Sequence, residues 1–179
     1  MCPGFFMKEQ IGNEDRKGVT MVGHMIPLSH RQELVDGIAK FVHSLGFTGL
    51  FDVDIIETTD GKWYFVELNL RYGASGFAVT QSGVNLPVMY ADYRIKGKPI
   101  DCNGITAEPG KRFVSEKVMM DEYARDFMNL RQIRKLMDQT QIHFIENAED
   151  PKPYRHFRKF YLFGMATRIL FRLKKAIRK

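Results

Sequence analysis

The chain has 179 residues, 44% of them hydrophobic and 12% aromatic, enough for one ordinary domain or a domain with an appendage and too little for a large multidomain enzyme. With only 27% charged residues it is not a disordered chain, and no apolar run approaches the 18 residues that a membrane-spanning helix needs. Of its 27 Lys and Arg, nine lie between Arg155 and Lys179 with no acid among them, so the net charge of +6 sits in the C-terminal segment; the first 154 residues hold the other 18 against all 21 Asp and Glu.

Met1 to Lys8 lacks the basic, apolar and small-residue order of a signal peptide, so a cytosolic chain is expected. Phe5 to Ile11 and Val19 to Ile26 read as strands flanking a polar turn, Gly12 to Gly18. Ser29 and Gln32 have capping-box spacing, and Leu34, Ile38, Phe41, Val42 and Leu45 recur at helical intervals up to a stop at Gly46. Thr48 to Glu57 and Lys62 to Leu70 follow as two strands joined through Asp60-Gly61, a hairpin signal. After the glycine-rich stretch Arg71 to Gly76, Asn85-Leu86-Pro87 starts a helix that runs to Lys96. Beyond Pro99 the pattern suggests a strand at Arg112 to Met119, a helix at Asp121 to Met137 whose apolar side includes Phe127, a short strand at Gln141 to Ile145, and a break at Glu149 to Pro153.

The hairpin can be read by parity, because side chains alternate faces along a strand and antiparallel partners share a face. Phe51, Val53 and Ile55 are apolar on one strand and Tyr64, Val66, Leu68 and Leu70 on the other. If both sets cover one core, Phe51 pairs with Leu70, Val53 with Leu68 and Ile55 with Val66. The opposite face then sets Asp54 across from Glu67 and Asp52 across from Asn69, with Arg71 at the strand end. Carboxylates this close repel unless a cation joins them; all-oxygen donors favour magnesium, which completes its octahedron with water and phosphate oxygens. Arg71 adds a forked anion donor, and Gly73 and Gly76 would let backbone approach a phosphate. The alternative is a solvated face whose acids are neutralised by lysines or by Arg71.

Gly46-Phe47-Thr48-Gly49-Leu50-Phe51-Asp52-Val53-Asp54, Asp60-Gly61, Glu67-Leu68-Asn69-Leu70-Arg71 and Gly83-Val84-Asn85-Leu86-Pro87 together resemble the metal-binding half of an ATP-grasp domain. The resemblance implies an α+β fold, an antiparallel sheet with packed helices, and use of ATP with Mg2+ or Mn2+ to activate a carboxylate as an acyl phosphate for attack by an amine, thiol or similar nucleophile. It implies Asp54, Glu67 and Asn69 as metal ligands, Glu67, Asn69 and Arg71 as phosphate-binding residues, and Arg71 at the acyl phosphate. Asp52 stands where some members carry a base. Residues 1–100 would form a partial ATP-grasp domain, its C-terminal subdomain, and 101–154 a family-specific extension. No counterpart of the family's first subdomain is visible, so a fragment of a carboxylate ligase is the expectation.

His143 reads as structural rather than as a ligand, and Cys2 and Cys102 as plain thiols with no disulfide or zinc partner. Residues 155–179 read as a basic amphipathic helix, with Leu162, Ala166, Ile169, Leu170, Leu173 and Ile177 on one side and Arg168, Arg172, Lys175 and Lys179 opposite. Such a helix docks on the body, a partner or an absent N-terminal subdomain, or lies peripherally in an anionic membrane interface. A non-catalytic module acting through this helix is therefore the alternative function, with nucleic acid the weakest partner because no groove-reading or base-stacking motif accompanies the charge.

Overall fold

The computed structural model describes residues 2–9, 19–29, 31–100, 105–125 and 128–161. The Gly12 to Gly18 turn, Cys102, Phe127 and the helix faces assigned from Leu162 onward lie outside them. The order is β1 (Phe5–Glu9), β2 (Val22–Ile26), α1 (Gln32–Ser44), β3 (Asp52–Glu57), β4 (Trp63–Asn69), α2 (Gly76–Gln81), α3 (Leu86–Lys96), β5 (Arg112–Val114), α4 (Glu116–Ala124), α5 (Leu130–Asp138) and β6 (Ile142–His143), followed by a helical segment, α6, over 152–161. The protein is α+β.

The strands form two sheets. One has four strands in the order β1-β2-β5-β6, and β3 and β4 form a separate two-stranded sheet. β5 and β6 run parallel, Phe113 beside Ile142 and Val114 beside His143. Parallel neighbours need a long crossover, and α4 with α5 supplies it. The chain divides into two compact units, Met1–Met7 with His24–Lys111, and Lys8–Gly23 with Arg112–Lys179. In the first, Met25, Val79, Val84 and Ala107 are buried together with Leu86 and Met89 against them. In the second, Met21, Val22, Val114, Met119, Met128 and Leu136 form the core.

Three helix boundaries correct the sequence reading. α1 starts at Gln32 behind Arg31, and no side chain caps it, so Ser29 does not form the expected box; Gln32 Nε2 instead donates to Asp36 Oδ1 at 2.9 Å. The strand from Arg112 ends at Val114, because Ser115 takes the extended N-cap geometry and α4 begins at Glu116. The expected Asp121–Met137 helix is two helices: Asn129 breaks the run with a capping box, its Oδ1 accepting from Gln132 N–H at 3.0 Å while Gln132 Oε1 accepts from Asn129 N–H at 2.8 Å. The α3 boundaries match expectation, with Asn85 Oδ1 accepting from Val88 N–H at 3.2 Å and Gly97 closing the helix at φ +63°.

Candidate functional site: the acidic hairpin

The β3–β4 hairpin lies within the first unit. Its connection is wider than a two-residue turn. Thr58 N–H donates to Lys62 O at 2.9 Å, Gly61 N–H to Thr58 O at 2.9 Å, and Gly61 sits at φ +78°, a conformation glycine adopts without strain. Lys62 pairs with Asp60 at 2.8 Å, and that hydrogen bond, followed by one from Thr58, draws the Asp60 carboxyl below its usual range.

At the open end the register is the expected one: Asp52 pairs with Asn69, Val53 with Leu68 and Asp54 with Glu67. A bulge between Asp54 and Ile55 then shifts the partners, so Ile55 lies opposite Phe65, Ile56 opposite Tyr64 and Glu57 opposite Trp63. The expected Ile55–Val66 pair is therefore absent and Val66 is the extra residue. A bulge moves every later side chain of its strand to the other face. Phe65 joins the Ile55 side and meets Phe41 of α1 edge-on, ring centroids 5.5 Å apart. Tyr64 joins Ile56 on the side of Asp54 and Glu67. The residues expected on the apolar face are also less buried than expected, with Val66 and Leu70 each more than half exposed.

Arg31 fastens α1 to the turn end. Its Nη2 lies 3.3 Å from Glu57 Oε2, and its guanidinium carbon 5.5 Å from the centroid of the Trp63 ring.

On the acidic face, Asn69 Nδ2 donates to Glu67 Oε1 at 2.8 Å, which leaves the Asn69 carboxamide oxygen as its acceptor atom. Glu67 and Arg71 are exposed and Asp54 and Asn69 half-buried. Arg71 forms no ion pair among the described residues, and neither does Glu67, so neutralisation of Glu67 by Arg71 is not what the structure holds. Asp52 turns toward the loop instead: a Cβ on the buried Gly73 would lie 2.3 Å from Asp52 Oδ2. Gly76 is similarly filled, its Cβ position lying 2.3 Å from Tyr72 Cζ, with Tyr72 Oη donating to Gly76 O and 3.0 Å from Thr80 Oγ1. Gly73 and Gly76 thus make room for Asp52 and Tyr72, correcting the view that they bare backbone to a phosphate.

The gathering of three carboxylates expected from spacing is not found: among the described residues no three His, Cys, Asp or Glu side chains converge as a metal site. What the register brings together is a smaller set, Asp54 across from Glu67 with Asn69 hydrogen-bonded beside it. Two carboxylates and a carboxamide oxygen are the donor chemistry that suits a hard cation already carrying phosphate oxygens. Tyr64, Tyr72 and the Asp52–Gly73 contact were not foreseen; the first depends on a bulge that the alternation of residues does not signal.

His143 lies on β6. Its Nε2 lies 3.0 Å from Thr140 O and its Nδ1 3.3 Å from Glu146 Oε2, close enough for an ion pair but without hydrogen-bond alignment.

Part of the chain is similar in sequence to a known enzyme. Over 71 residues the chain is 31% identical to the D-aspartate ligase of Enterococcus faecium (strain Aus0004), a stretch covering 39% of this chain and 17% of that enzyme. The chain therefore spans less than a fifth of the length of the relative it matches. No family model and no solved structure matches it.

Proposed function

We propose that the hairpin is the metal- and phosphate-binding part of an ATP-dependent, ATP-grasp-type carboxylate ligase. Asp54, Glu67 and the Asn69 carboxamide oxygen would hold Mg2+, or Mn2+ in its place, against the phosphates of ATP, and Arg71 would hold phosphate oxygens and then the acyl phosphate. In that reaction a substrate carboxylate oxygen attacks the γ-phosphorus and ADP leaves; an amine or thiol next attacks the acyl carbon and expels phosphate. The role of the residues is neutralisation and alignment, which phosphoryl transfer requires more than a covalent catalyst. The carrying observation is the pairing of Asp54 with Glu67 in one register with the Glu67–Asn69 hydrogen bond. The similarity to a ligase supports the reaction class. Which carboxylate and which nucleophile react would be set by residues other than these.

The test is Mn2+ binding to the full chain followed by electron paramagnetic resonance, with and without ATP. Asp54→Asn and Glu67→Gln should each weaken nucleotide-dependent Mn2+ binding by at least about tenfold, and Arg71→Ala should weaken ATP more than free Mn2+. Wild-type binding in both carboxylate variants would reject the reading and leave the hairpin as a scaffold.

A further inference from the structure

In the second unit, α6 (152–161) faces a shallow groove of about 610 Å3 lined by Ile145, Pro153, Phe157 and Phe160, together with Asp150, Lys152 and His156. Placing the residues of α6 at 100° intervals gives three arcs. Tyr154 and Tyr161 turn inward, both half-buried, and Tyr161 Oη donates to Asp121 Oδ1 at 3.0 Å. Pro153, Phe157 and Phe160 make the apolar arc, and Phe160 remains 70% exposed. Lys152, Arg155 and Lys159, all exposed, form the arc beside it. Among the described residues none of these three cations has an ion-pair partner, and no acid occurs in the sequence after Asp150. Asp150 itself accepts from Lys152 N–H at 3.4 Å, at the start of the helix.

We propose that this side of α6 docks on an anionic lipid surface. A helix whose exposed aromatic and apolar arc borders an unneutralised cationic arc is arranged for a boundary between acyl chains and phosphate. Phe160 and the groove would take the apolar side. Lys152, Arg155 and Lys159 would reach phosphates with their stems lying along the interface. A nucleic acid would engage the cations and Phe160 but leave Ile145, Pro153 and Phe157 unused, so the lipid surface accounts for more of the face. The proposal is independent of the ligase reading.

The full chain is sedimented with phosphatidylcholine vesicles and with vesicles carrying about 30% phosphatidylserine. Binding should need the anionic lipid and fall with added salt. Lys152→Glu/Arg155→Glu/Lys159→Glu should lower partitioning by at least roughly tenfold and Phe160→Ser by severalfold, with unchanged far-ultraviolet circular dichroism, since all four side chains are exposed. Lys152→Gln/Arg155→Gln/Lys159→Gln, without reversed charge, should fall between. Equal binding to both vesicle types, binding to neither, or wild-type partitioning of the triple variants would overturn the proposal. So would a single-stranded oligonucleotide that displaces the vesicles and depends on the same residues, which would assign the face to nucleic acid.

Discussion

A carboxylate removed from water is costly unless hydrogen bonds replace its hydration, and Glu116 shows how the chain meets that cost. It is 1% exposed. Its Oε2 accepts from Phe144 N–H at 2.9 Å, and its Oε1 accepts from Ile145 N–H at 2.9 Å and Glu146 N–H at 2.8 Å. Glu116→Ala should orphan these donors and lower stability by roughly 2–4 kcal/mol in chemical denaturation, whereas exposed Glu108→Ala should change it little. At Gly73 the space is already occupied by the Asp52 carboxylate. Gly73→Ala should destabilise by about 1–3 kcal/mol, and Asp52→Ala in the same chain should restore part of that loss in a double-mutant cycle.

Protonation supplies a further check on residues. The Lys62 hydrogen bond holds Asp60 below the usual carboxylate range, and the Lys96 hydrogen bond does the same for Asp92. A carboxyl whose folded pKa lies below its unfolded value contributes stability at neutral pH that is lost as pH falls through the folded pKa. Asp60 is exposed and Asp92 half-buried, and the check is the titration itself: carboxyl NMR shifts should give midpoints below that of an unpaired aspartate, with Lys62→Ala raising Asp60 and Lys96→Ala raising Asp92. Neither the Glu116 contacts nor the Asp52–Gly73 contact could be read from spacing, since each joins segments whose proximity the chain order does not state.

Elements were legible where local chemistry fixes both ends. α3 has its Asn85 cap, its proline in the first turn and its left-handed Gly97 within the sequence it occupies. The same kind of signal, Asn129 with Gln132, was present between α4 and α5 but was outweighed by apolar residues that continue at helical spacing on both sides. Asn129→Ala should cost about 1 kcal/mol and fray the first turn of α5, seen as faster amide exchange near Gln132. The hairpin divides at its bulge. Alternation gave the correct partners for Asp52, Val53 and Asp54 and the wrong one for Ile55, because one extra residue on β4 leaves the composition of the strand unchanged while reversing its faces.

At the scale of the whole molecule the chain forms two compact units, each with its own buried core. Phe113 is fully buried and stacks on Phe144, ring centroids 5.3 Å apart with 10° between planes. Phe113→Ala should lower the stability of the second unit by about 3–5 kcal/mol, measured as loss of amide protection at Val114 and Ile142. The sequence by itself determined the acidic hairpin with its open-end register, α3, and the concentration of basic residues from Arg155 onward, because each depends on periodicity, turn chemistry or counting along a contiguous stretch. Only the tertiary structure decided the parallel β5–β6 pair, the filling of Gly73 and Gly76 by Asp52 and Tyr72, and the burial of Glu116. Those depend on which distant segments meet, and the free energy of such meetings comes from packing and desolvation that no local pattern records.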